Sequence, residues 1–176
     1  PQTIQDFLGL AKAHKATIVT YSLFGADSVL AAIFCEEELL LCSSFQLQGV
    51  SEKTLFTLPR RLGARTGRNF EAEDDESVHT LQSQTEQTDI LQHLYAQLIA
   101  PMKEHLPPSA DGEHNLIIIP DRWLFLVPWA ALLDEKSVPL IQRYTLRVVP
   151  SMRVLHLLAE LHTQVSPPPQ FSSTAR

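Results

Sequence analysis

A short run of branched apolar residues, LIII at positions 116–119, constrains the fold of this chain more than any other feature. The run is too short for a helix. Because it is apolar at every position, it is typical of a β-strand buried on both faces. Pro120 and Asp121 predict the end of the strand, since proline cannot donate to a sheet ladder and aspartate supports turns. A long helical pattern precedes the strand, and this order favours an α/β fold.

The first 58 residues predict a helix followed by an antiparallel β-meander. Thr3 and Asp6 have the spacing of a helix cap, and one helical face carries Ile4, Phe7, Leu8 and Ala11. Segments 17–23, 29–35 and 39–42 have the alternating or apolar patterns of strands. Short turns join these segments, so we expect consecutive strands to pair antiparallel.

Residues 59–76 predict a charged surface loop. A basic stretch with two glycines, residues 60–68, precedes five acidic side chains between positions 71 and 76. A phosphate-binding loop is the functional alternative, but the Gly-Lys-Ser/Thr ending and the strand–loop–helix context are both missing. The acidic block would compete with any bound anion, so a self-neutralising surface loop is the favoured interpretation.

Residues 77–165 predict a helix, two strands and a second helix, and the Pro- and Ser-rich residues 166–176 predict a linker. The first helix extends to position 106, with a kink near Ala100 because Pro101 removes a hydrogen bond. The second strand is expected at 140–149, and Ser151 is expected to cap the last helix. The apolar stripe of the first helix consists of Leu91, Leu94, Tyr95, Leu98 and Met102.

The segment IIPD at 118–121, followed by VPWAAL at 127–132, resembles the opening signature of the CHAT domain. This caspase-like domain is carried by many tetratricopeptide-repeat proteins. The resemblance continues through PLIQRY at 139–144 and VPS at 149–151, and it reaches back to LIAPM at 98–102. It implies that residues 1–165 are the N-terminal part of a CHAT-like domain, with the first strands of a caspase-like α/β sheet, and that the domain is incomplete.

The resemblance also implies where catalytic residues would lie. The family's His and Cys each close a strand downstream of the strand matched by residues 144–149, and no His-Gly or Ala-Cys pair follows Ser151. No catalytic residue is therefore carried over, and whether the chain is part of an enzyme stays open. One hypothesis is a non-catalytic leading part that acts in protein–protein interaction beside a tetratricopeptide repeat array. The alternatives are the leading subdomain of a cysteine peptidase whose His-Cys dyad lies beyond Arg176, and an unrelated α/β binding domain.

The residues present predict no catalytic, cofactor or metal site. The acidic run after Cys35 and the apolar strand around Cys42 both disfavour a thiolate, so we expect both cysteines to be small core residues. His156 and His162 lie six positions apart, which is a poor spacing for one metal ion. The acidic block at 71–76 lacks the spacing of a calcium loop.

Three residues of the central stretch could instead serve binding. We expect Asp121 to stabilise the turn after Pro120, and we expect Trp123 and Trp129 to pack in the core, although tryptophan can also anchor a partner. The chain of 176 residues has a net charge of −6, which argues against a nucleic-acid partner. It has no apolar run long enough to cross a membrane. Two cysteines give no disulfide framework, so we expect a cytoplasmic location.

Overall fold

The predicted meander forms three strands of a mixed five-stranded sheet in the computed structural model of the protein. The structure describes residues 3–25, 27–35, 38–62, 76–108 and 114–164. The sheet has the order β3-β2-β1-β4-β5. The β1–β2 and β2–β3 pairs are antiparallel, whereas the β1–β4 and β4–β5 pairs are parallel. The strands are β1 (Ala16–Phe24), β2 (Ser28–Cys35), β3 (Glu38–Gln46), β4 (His114–Ile119) and β5 (Tyr144–Val148).

Helices cover both faces of the sheet, which confirms the α/β prediction. We call the side that carries Tyr21 and Ile118 face A, and the side that carries Ile18 and Ile117 face B. Face A is covered by α2, α3 and three 3-10 segments, and face B by α1 and α5. The helices are α1 (Ile4–His14), α2 (Glu52–Arg61), α3 (Glu76–Leu98), α4 (Leu140–Arg143) and α5 (Met152–Gln164), and the 3-10 segments are Ala100–His105, Arg122–Leu126 and Trp129–Ala131.

Strand β4 lies between β1 and β5 and is buried on both faces, as its sequence predicts. Leu116 and Ile118 point into the core of face A, whereas Ile117 and Ile119 point into the core of face B. The side chains of Leu116, Ile117 and Ile118 are fully inaccessible to solvent. Because each core contains residues of the meander and of the later strands, both halves of the chain contribute to one continuous sheet.

Several predicted helix boundaries agree with the structure. The Thr3 hydroxyl accepts a hydrogen bond from the Asp6 amide, and the Asp6 carboxylate accepts one from the Thr3 amide, which forms a capping box. Helix α3 ends at Leu98, and the chain continues as a 3-10 segment that contains Pro101, so the predicted change near Ala100 is confirmed. The Ser151 hydroxyl accepts a hydrogen bond from the Val154 amide at the start of α5.

Helix α2 is absent from the sequence-based prediction, which placed residues 52–58 with the meander and residues 59–76 in a loop. The helix begins after Ser51, whose hydroxyl accepts a hydrogen bond from the Thr54 amide. Leu55 and Leu58 are buried in the face A core and hold the helix on the sheet. Tertiary packing thus outweighs the helix-breaking tendency of Pro59.

The strand predicted at 140–149 is wrong at its beginning. Residues Leu140–Arg143 form the short helix α4, and the strand starts at Tyr144. The cause is Asp134, which is 2% exposed and accepts hydrogen bonds from the amides of Lys136 and Val138. Its other carboxylate oxygen binds the Arg143 guanidinium, so the chain turns before it enters the sheet.

The predictions for residues 63–75, the turn at 36–37 and the linker at 166–176 concern parts of the chain outside the described residues. None of the helices in the described ranges combines the length and the apolar composition that a membrane span requires.

Candidate functional site

Strands β1, β4 and β5 run parallel, so their carboxyl ends meet at one edge of the sheet, which we call the carboxyl edge. Open α/β sheets commonly bind their ligands at this edge, because the loops that follow the strands converge there. Two of the three binding candidates from the sequence, Asp121 and Trp123, lie in the segment that follows β4. The carboxyl edge is therefore the candidate functional site.

The expected turn after Pro120 is present, but the Asp121 carboxylate does not cap it and instead links β4 to β1. The backbone carbonyl oxygen of Asp121 accepts a hydrogen bond from the Leu124 amide at 3.0 Å. Its carboxylate accepts one from the Leu23 amide at 2.9 Å, across 98 positions of sequence. Arg122 Nε lies 3.3 Å from the same carboxylate oxygen, and the Arg122 guanidinium also donates to the Leu23 carbonyl oxygen.

These contacts continue the β1–β4 pairing with side chains. The backbone pairing ends at Thr20 and Ile119, and beyond it both backbone groups of Leu23 are bound by Asp121 and Arg122. Arg122 adopts a left-handed backbone conformation with φ of 46°, which L-residues rarely adopt. Since its hydrogen bonds are directed into the fold, the Asp121 carboxylate is part of the framework of the carboxyl edge.

An open groove of about 1020 Å³ lies beside this link, between α2 and the 3-10 segment Arg122–Leu126. Apolar side chains dominate it: Phe56 is 64% exposed, Phe125 is 42% exposed and Leu126 is 40% exposed. Trp123 is partly buried, packs against the face A core and also lines the groove. We call the groove lined by these four residues the aromatic groove.

Charged side chains lie around the aromatic groove. Lys53 and Arg122 provide positive charge, and Glu52 provides negative charge. A surface that combines exposed aromatic side chains with mixed charges is typical of protein-binding sites, in which aromatic anchors are surrounded by a polar rim. The sequence analysis missed Phe56 and Phe125. The helix cap at Ser51 is the sequence signal that could have predicted α2. Phe56 would then have been noticeable as an aromatic residue on the exposed side of that helix.

Trp129 has a different role from Trp123. It is 2% exposed, its indole N–H donates to the Leu124 carbonyl oxygen at 3.2 Å, and its ring lies 5.1 Å from that of Tyr21. The Tyr21 hydroxyl donates to the Leu98 carbonyl oxygen at 2.7 Å, and burial raises the pKa of this tyrosine. The core interpretation therefore holds fully for Trp129, whereas Trp123 contacts both the core and the groove.

The cysteines lie away from the carboxyl edge. Cys35 pairs with Thr17 at the opposite end of β1, is partly buried, and accepts a hydrogen bond from the Thr17 hydroxyl at 3.7 Å. Cys42 is exposed on the outermost strand, β3, so its assignment to the core is wrong. The reason is position: β3 is at the edge of the sheet, where face B is incompletely covered. Among the described residues, no hydrogen bond joins a cysteine to a histidine.

The histidines do not form a metal centre in the part of the chain that the structure describes. His156 pairs with Glu160 on the surface of α5 at 3.2 Å. The side chain of His162 and the acidic residues 71–75 lie outside the described residues. Within those residues, no three His, Cys, Asp or Glu side chains come close enough to share a metal ion.

Comparison with known proteins places part of this structure in a family. The family model of the CHAT domain matches residues 88–175, which is half of the chain. The human protein named tetratricopeptide repeat protein 28 is 38% identical over 89 residues. This alignment covers 48% of the chain but 4% of the human protein, so the chain spans a small part of that relative's length. The family match includes β4, β5, α4 and α5, and it begins within α3.

Proposed function

Because the chain belongs to the CHAT domain family, we propose that it is the non-catalytic leading part of such a domain and that it binds proteins. The partner that we propose is a tetratricopeptide repeat array adjacent to it in a longer polypeptide. The human relative, which is named for such repeats, supports this choice. We further propose that residues 1–165 act as one unit, that the chain is cytoplasmic, and that it binds neither nucleic acid nor membranes.

The aromatic groove is the observation that carries this proposal. Phe56, Phe125 and Leu126 expose much of their apolar surface within one concave region, beside the framework formed by Asp121 and Arg122. Exposed aromatic residues supply a large contact area with little loss of side-chain entropy, and they are frequent binding hot spots. A tetratricopeptide repeat array is built of helices, and the apolar face of a helix is a suitable partner for such a groove.

The chemistry of the described residues supports a binding role in a second way. Nucleophilic catalysis by cysteine requires a base within hydrogen-bonding reach of the thiol. In the described part of the chain, the hydrogen-bonding neighbour of Cys35 is a threonine hydroxyl, and Cys42 lies exposed on an edge strand. Neither cysteine is at the carboxyl edge, where the loops converge.

The experiment is a binding measurement with a purified tetratricopeptide repeat array from the human relative. We expect the chain to bind it, and a double variant, Phe56→Ala with Phe125→Ala, to bind at least about tenfold more weakly. Ile4→Ala is the matched control, since Ile4 is 52% exposed on α1, away from the groove. Equal affinities of the double variant and the unmodified chain would overturn the role of the groove. No binding to the array would contradict the proposed partner.

A second candidate function is the leading subdomain of a caspase-like cysteine peptidase. The parallel arrangement of β4 and β5 favours it, because further parallel strands would place their carboxyl ends at the same edge as Asp121. The test is a form of the native polypeptide that extends beyond Arg176, assayed with peptide substrates. Thiol-dependent cleavage that survives Cys35→Ser and Cys42→Ser would favour this candidate, whereas no cleavage would favour the binding role.

A further inference from the structure

We infer that Arg122 is the positioning residue of the aromatic groove. Its strained backbone and its guanidinium together fix how the 3-10 segment Arg122–Leu126 presents its apolar side chains to a partner. The inference rests on the proposed function, which assigns partner binding to this groove. It adds the residue that sets the shape of one groove wall.

The first observation is the backbone conformation of Arg122. In the described part of the chain, three residues other than glycine have a positive φ: Lys15, Arg122 and Ser137. Lys15 caps the C-terminus of α1, and Ser137 lies in the hydrogen-bonded turn that follows Asp134, so both have ordinary local reasons for it. Arg122 instead lies at the first position of a 3-10 segment. A side chain disfavours this conformation, and such strain persists where surrounding contacts impose it, commonly at functional sites.

The contacts that impose this conformation come from the end of β1. The Arg122 guanidinium donates to the Leu23 carbonyl oxygen. Its Nε lies 3.3 Å from the Asp121 carboxylate, which in turn accepts a hydrogen bond from the Leu23 amide. A guanidinium is planar and carries its donors in a fixed geometry, so two bonds determine the direction of the side chain. Glycine would adopt the same backbone conformation without strain, but it would lack these bonds.

The periodicity of the segment makes its rotation decisive. A 3-10 helix has three residues per turn, so side chains three positions apart lie on the same side. Leu124 and Val127 share the side that is buried in the face A core. The other two sides line the groove, and they carry Trp123 with Leu126 and Arg122 with Phe125. The bond from Arg122 to β1 therefore fixes the rotation that brings Phe125 to the groove.

The two walls of the groove are held in different ways. On α2, Leu55 and Leu58 are buried in the face A core and fix the helix that carries Phe56. The opposite wall is short, and the contacts of Arg122 with β1 anchor its start. Because the side chains of Arg122 and Asp121 are 56% and 37% exposed, their ion pair contributes little to stability. The main consequence of this ion pair is therefore the shape of the groove.

The experiment compares variants for stability and for binding to the purified tetratricopeptide repeat array of the human relative. Arg122→Gly removes the strain and the guanidinium, whereas Arg122→Ala removes the guanidinium and keeps the strain. We expect Arg122→Gly to melt about 2–4 °C higher than Arg122→Ala. We nevertheless expect both to bind the array at least about tenfold more weakly than the unmodified chain. Arg153→Ala, at an exposed arginine of α5, is the matched control and should leave the affinity unchanged.

The two Arg122 variants separate a positioning role from a purely structural one. If Arg122 only supported the fold, affinity would follow stability, and Arg122→Gly would bind more tightly than Arg122→Ala. That order of affinities would overturn the inference. An affinity of Arg122→Gly equal to that of the unmodified chain would overturn it as well.

Amide hydrogen exchange tests the inference without a partner. The Leu124 amide donates to the Asp121 carbonyl oxygen, and the Val127 amide donates to the Leu124 carbonyl oxygen. We expect these two amides to exchange at least about tenfold faster in both variants, while the Val149 amide, which is bonded in the sheet, keeps its rate. Unchanged exchange at Leu124 and Val127 would contradict the positioning role. An unmodified chain that fails to bind the array would contradict the proposed partner, and the exchange rates would still decide the role of Arg122.

Discussion

Two neighbouring segments of the chain are both strongly apolar, but one is buried and the other is partly exposed. Residues 116–119 form the buried strand β4, and Ile118 is fully inaccessible to solvent. A few positions later, Phe125 and Leu126 expose about two fifths of their surface. Hydrophobicity alone does not explain the difference. Strand β4 has neighbours on both sides and on both faces, whereas the segment Arg122–Leu126 lies at the carboxyl edge, where α2 covers it only in part.

Two carboxylates differ in burial in the same way. Asp134 is 2% exposed and binds two amides and the Arg143 guanidinium. The Asp121 side chain is 37% exposed and binds the Leu23 amide and Arg122. Each one replaces missing backbone hydrogen bonds at a turn, but solvent can substitute for the partners of Asp121 more readily than for those of Asp134. Burial therefore sets the cost of losing each side chain, and mutagenesis can test that ranking.

The largest effect is expected at the buried centre. Trp129→Ala removes the indole that packs on Tyr21, and it should lower the free energy of unfolding by about 3–5 kcal/mol. Ile118→Ala should cost about 2–5 kcal/mol for the same reason. Denaturant titration followed by circular dichroism measures both. A stability within error of the unmodified chain would contradict the core assignment of these residues.

The next effect concerns Asp134. Asp134→Asn should lower the free energy of unfolding by about 1.5–3 kcal/mol at neutral pH, because the Arg143 guanidinium and two amides lose a charged acceptor. Denaturant titration measures the difference. Val154→Ala is a useful comparison, since Val154 is only partly buried and lies at the start of α5, in a different element from the Asp134 turn.

Asp134 should also make stability depend on pH. Burial alone would raise the pKa of its carboxyl, but the Val138 amide, the Arg143 guanidinium and the Lys136 amide outweigh burial and lower it. The carboxyl therefore binds protons less readily when folded, and its contribution is present above its ordinary pKa of 3.8 and is lost as the pH falls through the lowered value. Melting temperatures at acidic pH should fall less steeply for Asp134→Asn than for the unmodified chain. Equal slopes would contradict this account.

A smaller effect is expected at the carboxyl edge. Asp121→Ala leaves the Leu23 amide without its acceptor and should lower the free energy of unfolding by about 1–2 kcal/mol. Asp121→Asn retains an acceptor oxygen and should restore part of the loss. Thermal unfolding of the two variants measures the difference. If the free energy of unfolding fell as much for the Asp121 variant as for the Asp134 variant, burial would not determine the cost of losing these carboxylates.

The sequence predicted those parts of the fold that depend on local pattern. Alternating apolar residues identified β1, a short branched run identified β4, and Thr3 and Ser151 marked two helix starts, because strand periodicity and capping involve residues close together in the chain. The predicted beginning of β5 was wrong. The observed beginning depends on the ion pair between Asp134 and Arg143, which are nine positions apart, and on burial that the sequence does not show.

The carboxyl edge was less predictable because its contacts join distant parts of the chain. The bond from Leu23 to Asp121 spans 98 positions and requires that β1 lie beside β4, which no local pattern specifies. The exposure of Cys42 likewise depends on the position of β3 at the edge of the sheet. The CHAT resemblance identified the family, but it did not reveal the aromatic groove. Phe56 lies outside the matched residues, and Phe125 is apolar, as a core residue would be.

The smallest effects on stability are expected at Phe125 and Cys42. Both side chains are exposed, so Phe125→Ala and Cys42→Ser should change the free energy of unfolding by no more than about 0.5 kcal/mol. Denaturant titration measures this, with Trp129→Ala as the large-effect reference. A cost at Phe125 near that of Trp129 would show that the groove is closed by the protein itself. A neutral Phe125→Ala would show that folding does not require this exposed side chain, as expected if the proposed role of the groove is binding.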